Sequence, residues 1–197
     1  MVPNPYEVAG ERLALIRGFR YPIPGCDERE VNMNVHPLVT QLRFARSEFA
    51  RSMDGVSDED ARRHVGSLNC LSWMVGHLAN QENWYWVLMG QRRSLFPELN
   101  DLVGFRKPQS TPSPREVWST WKTVTEASDV FLNTLRAEML TTHLELRGKP
   151  APESIGTLLM RNIFHYWFHT GQAVIVRKML GHTNLPEFVG DLSSVAF

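Results

Sequence analysis

The positions of twelve prolines constrain this chain more than any other feature. They stand at 3, 5, 22, 24, 37, 97, 108, 112, 114, 150, 152 and 186. Proline lacks an amide hydrogen and its ring clashes with the preceding turn, so it breaks helix interiors. Three windows stay open: 38–96 with 59 residues, 115–149 with 35 and 153–185 with 33. Long helices are expected there and nowhere else.

The windows read as helices. Leu38, Leu42, Ala45, Phe49 and Met53 recur at spacings of four, three, four and four, an amphipathic stripe that predicts a helix over 36–53. Asp54-Gly55 ends it, and Ser57-Asp58-Glu59-Asp60 starts a short helix, with Ser57 as cap. A second core helix is expected over 69–89. Only Glu82 is charged between Asn69 and Met89, so this helix is buried on most of its circumference. Ser113-Pro114-Arg115-Glu116 starts a third, with its stripe on Val117, Trp121, Val124, Ser128, Phe131 and Leu135. A fourth spans 153–180, closed by Arg177, Lys178 and then Gly181. No strand signal is visible, so the fold class is all-α, a four-helix bundle. Residues 90–113 form a connection long enough to cross such a bundle, and 139–151 form a second loop. Residues 1–35 read as an N-terminal extension, with a short helix expected over 6–17, and 36–197 as the bundle and a C-terminal tail.

Charge narrows the function. Lys and Arg total 21 and so do Asp and Glu, a formal net charge of zero. No basic excess is available to neutralise phosphates, so no nucleic-acid partner is expected. The longest uncharged stretches, 65–81 and 162–176, have 17 and 15 residues and contain Asn, Gln and His, short of a membrane span. Two cysteines, Cys26 and Cys70, make no disulfide framework, and no leader-like segment opens the chain. The cytoplasm is the expected compartment.

The chemistry lies in the buried helices. His165 and His169 are four apart and project from one face of the fourth helix, about one turn apart. That spacing suits two ligands on one metal ion. His77, on the other buried helix, would supply a third. Imidazole suits zinc, nickel, iron or copper, and three protein ligands leave an open position. The competing reading makes all three core residues held by hydrogen bonds.

At these residues the sequence resembles the DinB/YfiT-like superfamily of metalloenzymes. The matching pieces are Ser72-Trp73-Met74-Val75-Gly76-His77-Leu78-Ala79 with Glu82 following, and His165-Tyr166-Trp167-Phe168-His169-Thr170-Gly171-Gln172. The tail from Leu180 to Gly190 is also similar, so the resemblance covers about 36–190. It implies a bundle in up-down-down-up order with a long crossover between helices two and three. It also implies a divalent zinc or nickel ion on His77, His165 and His169. Relatives of this kind include thiol-dependent S-transferases and an isomerase, and members often pair as homodimers.

Around the three histidines, Trp73, Gln81, Trp84 and Arg161 are candidate pocket-lining residues for a thiol cofactor or substrate. Asn162 and Gln172 lie one turn outside the histidine pair and are candidates for orienting the imidazoles. Cys70, Glu82 and Tyr166 are weaker candidates, read first as structural, and Arg177 and His182 are weaker still, read first as solvent-facing. The expected function is a metal-dependent S-transferase or isomerase that activates a low-molecular-weight thiol toward a small-molecule substrate. The alternative is a non-catalytic bundle that binds a small ligand or dimerises, with core histidines or a structural metal.

Overall fold

A computed structural model describes residues 35–146, 148–187 and 189–195. The expected helix over 6–17 and nearly all of the extension lie outside these residues. Six α-helices follow in order: α1 Pro37–Ser52, α2 Asp58–Arg62, α3 Leu71–Glu82, α4 Leu99–Val103, α5 Pro114–Leu132 and α6 Ile155–Met179. The long four, α1, α3, α5 and α6, form the bundle.

Local chemistry sets the ends. His36 Nδ1 accepts from the Leu38 amide at the start of α1. Ser57 accepts from Asp60 on α2, Ser113 from Glu116 on α5 and Ser154 from Thr157 on α6, each satisfying an amide that has no partner inside its helix. Gly181 stops α6 at φ +90°, a conformation that costs a side chain but not glycine.

Residue pairs give the helix directions. Trp73 lies by His169 and Trp86 bonds to Asn162, so α3 and α6 run antiparallel. Gly76 sits against Val117 and Gly90 against Phe131, so α3 and α5 run parallel. Arg43 meets Asn133 while Phe49 meets Trp118, so α1 opposes α5. The order is up-down-down-up, and 90–113 is the crossover that makes two successive helices parallel. Leu42, Ala45 and Phe49 of α1, Leu71, Met74 and Leu78 of α3, Leu132 of α5 and Leu159 and Tyr166 of α6 fill the centre, all fully buried.

Two features depart from expectation. The long second helix changes geometry after Glu82: Asn83–Met89 is a π-helical segment, with wider turns. The second loop also holds structure, a 3₁₀ turn at Ala137–Thr141 and an antiparallel hairpin of β1 His143–Leu146 and β2 Lys149–Ser154. Pro150 and Pro152 hid the hairpin, because proline in a strand reads as loop. A two-stranded ribbon tolerates it, since each strand has a free edge where no amide hydrogen is needed. Leu144 and Ala151 are buried and seat the hairpin on the core. Among the described residues, no helix is long and apolar enough to cross a membrane.

Candidate metal centre

The three histidines meet between α3 and α6. Each offers one ligand atom, and these atoms lie within 4.8 Å of one another. The Nε2 atoms of His165 and His169 are 2.9 Å apart. His77 closes the triangle, its ring centre 4.9 Å from that of His165 and 5.3 Å from that of His169. Two imidazoles held tetrahedrally at zinc-ligand distance stand about 3.3 Å apart, inside the range spanned here. The donor set fits a divalent ion of the zinc or nickel kind.

Protonation favours the same use. Burial comes first in holding all three below the ordinary imidazole value of 6.5, because a charged ring loses water there. His165 is pushed down to about 3, with repulsion from His77 and Arg161 adding to burial. His169 falls to about 2, with repulsion from His165 and His77. The rings are therefore neutral across physiological pH, with lone pairs available to a cation.

Each ring is held differently. His77 Nδ1 lies 2.7 Å from the Val103 carbonyl, which must accept, so Nε2 is left for a ligand role. Val103 ends α4 inside the crossover. Gly76 permits this contact: a Cβ there would come within 3.1 Å of Val103 and 3.2 Å of Val117. Trp73 stacks on the His77 ring, the ring centres 4.3 Å apart. His165 Nδ1 lies 2.9 Å from Gln81 Oε1, and the same oxygen accepts from Asn162 Nδ2 at 2.9 Å. The buried Nδ1 of His169 makes no hydrogen bond, and Gln172 favours the charged form of this ring without completing one.

A cavity of about 890 Å³ opens beside His77 and His165. Gln81, Trp84 and Arg161 line it, as do Asn80, Tyr85, Asn100, Phe105, Thr157, Met160, Phe164 and Phe168. Trp73 is not on this wall; it is buried beneath His77. Arg161 is held by both carboxylate oxygens of Glu153, which offset its charge. Asn162 touches Gln81 rather than a histidine.

The remaining candidates serve the scaffold. Cys70 is fully buried before α3, against Ser72. Glu82 is fully buried and binds Arg46 with both oxygens, and Tyr166 donates to it at 2.6 Å. Arg177, expected to face solvent, is instead buried and donates to the Ser52 and Asn184 carbonyls, and His182, expected to be exposed, lies between Arg177 and Asp60. Length and apolar content mark the crossover as a segment that shapes the pocket, but they do not single out Val103, Asn100 and Phe105 within it. The sequence reading missed Met160, Phe164 and Phe168, although their four-residue spacing on the histidine-bearing helix was a signal.

Comparison with known proteins agrees with this picture. The chain superposes on a conserved protein from Enterococcus faecalis with a TM-score of 0.54 and 16% identity, covering 74% of this chain and 96% of that one. It superposes on a DinB-like protein from Bacillus cereus with a TM-score of 0.54 and 18% identity, covering 77% and 95%. At such identity these likenesses establish the fold. No curated protein matches the sequence. The sequence profile of the mycothiol S-transferases matches residues 37–181, a span that starts with α1 and ends at Gly181 beyond α6. With that match across all four bundle helices, the chain belongs to the mycothiol S-transferase family of DinB-like proteins.

Proposed function

We propose that the protein is a divalent-metal-dependent thiol transferase, joining a low-molecular-weight thiol to a small electrophile. The observation that carries this reading is the convergence of three neutral imidazoles at a large cavity, with His77 and His165 on its wall and His169 buried behind them. Family membership supports the thiol. His77, His165 and His169 would hold the ion. When bound, it supplies the positive charge that lowers the pKa of a thiol to near neutrality, as metal centres do for sulfur donors. Val103 and Gln81 orient His77 and His165 so that neither ring turns its N–H toward the ion. Trp84, Phe105, Phe164 and Phe168 offer apolar surface for the carbon skeleton of a substrate. Asn80, Asn100 and Thr157 offer hydrogen-bonding groups for a polar thiol.

Elemental analysis tests the ligands. Wild-type protein is expected to carry about one equivalent of zinc or nickel, and His165→Ala to lose most of it. Equal metal content in the two sinks the assignment. Conjugation of an alkyl or aryl halide with mycothiol, bacillithiol, glutathione or coenzyme A tests the reaction. Thiol consumption that is no faster than without protein, for every thiol, overturns the transferase reading.

A further inference from the structure

Among the described residues Trp86 bonds to Asn162 and not to a histidine, yet it decides what one of the histidines presents. It is fully buried, and its indole Nε1 lies 2.7 Å from Asn162 Oδ1. An indole N–H can only donate. The Asn162 amide is thereby fixed, because the opposite orientation sets its NH₂ against the indole N–H where both side chains are closed to solvent. Asn162 is itself fully buried. Its Nδ2 must then donate, and it faces Gln81 at 2.9 Å, so the Gln81 atom in contact is the carbonyl oxygen. That oxygen lies 2.9 Å from His165 Nδ1 and can only accept. Each group has one choice left once Trp86 has made the first.

We propose that Trp86, through Asn162 and Gln81, locks His165 in the Nδ1–H tautomer and so leaves its Nε2 lone pair facing His77 and His169. Trp86 is a positioning residue. The π-helical segment Asn83–Met89 brings it to this place. At 100° per residue Trp86 would project about 180° from His77. The wider turns rotate less per residue and bring the indole round toward α6. The ligand role of Nε2 rests on the metal reading given above; the tautomer does not.

The test is the ¹⁵N spectrum of the imidazoles in metal-free, full-length protein at about pH 8, where an ordinary imidazole is neutral. Wild type is expected to show His165 protonated at Nδ1 alone. Trp86→Phe removes the one fixed donor, and His165 should become a mixture of both tautomers. Asn162→Leu should do the same and leaves the indole in place, so it serves if Trp86→Phe does not fold. Gln81→Glu should keep Nδ1–H, since a carboxylate also only accepts. A merely structural role would not separate Gln81→Glu from the other two. Zinc titration should show affinity about 10–100-fold weaker in Trp86→Phe, the usual loss for outer groups at a metal site. An Nε2–H tautomer in wild type, or Nδ1–H retained in full by Trp86→Phe or Asn162→Leu, overturns the proposal. Tautomers that respond as stated in a protein that binds neither zinc nor nickel uphold it and overturn the metal reading instead.

Discussion

Charge inside this bundle is handled one residue at a time. Arg46 is buried on α1, where burial works against its charge, but Glu82 and Asp129 outweigh that and raise its pKa. Its Nε donates to Glu82 at 2.8 Å and its Nη1 to Asp129 at 2.7 Å. Tyr166 donates to Glu82 and accepts from Trp121 at 2.8 Å. Burial, then Glu82, hold the phenol well above its ordinary value, so it stays a donor. Three helices thus meet at one carboxylate, and α5 joins them through Arg46 and Tyr166. Replacing one partner of a buried pair costs about 3–5 kcal/mol, because the other charge is left uncompensated. Glu82→Gln is expected to lose most of that in urea unfolding, with the slope of the transition unchanged. A loss below about 1 kcal/mol would show that Asp129 alone satisfies Arg46.

Elements act through their ends and their closest approaches. Ser154→Ala removes the cap of α6, the helix that carries two of the three histidines, and should cost about 1 kcal/mol with no change in metal content. Gly76→Ala acts on the seam between α3 and α4. The added methyl would press on Val103 and Val117 and should cost about 1–3 kcal/mol by overpacking. It should also weaken metal binding, because it pushes the Val103 carbonyl away from His77. Thermal unfolding and metal titration on both variants separate the effects: the cap variant moves only the first, the glycine variant moves both.

Across the whole molecule, the buried histidines tie stability to pH. Their folded pKa values lie below the ordinary 6.5. Above that pH neither state takes up protons and stability does not depend on these rings. Below it the unfolded chain is protonated and the folded one is not, so the metal-free protein loses stability. Each responding histidine contributes about 1.4 kcal/mol per pH unit once well inside the window. For His165 the window runs from 6.5 down to about 3. Urea midpoints measured in metal-free protein are expected to fall as pH drops from 7 toward 5, and His165→Gln should flatten that fall. A midpoint that does not change over this range would place protonated histidines in the folded state.

What the sequence alone determined is the part ruled by short range. Proline gaps, stripes of apolar residues, the Ser113 cap and Gly181 set where α1 lies, where α5 begins and where α6 ends, because each depends on neighbours within four residues. The spacing of His165 and His169 on one helix face is of the same kind. Tertiary structure decided the rest. His77 reaches the pair only because α3 and α6 pack antiparallel at the right level. Val103 holds His77 only because the crossover folds back over Gly76. The wide turns after Glu82 broke the regular 100° period on which the sequence reading relied, and they placed Trp86 on Asn162. The hairpin hid behind its prolines for the same reason: its strands are stabilised by each other and by the core. Contacts between residues far apart in sequence depend on helix levels and crossing, and local periodicity carries no record of those.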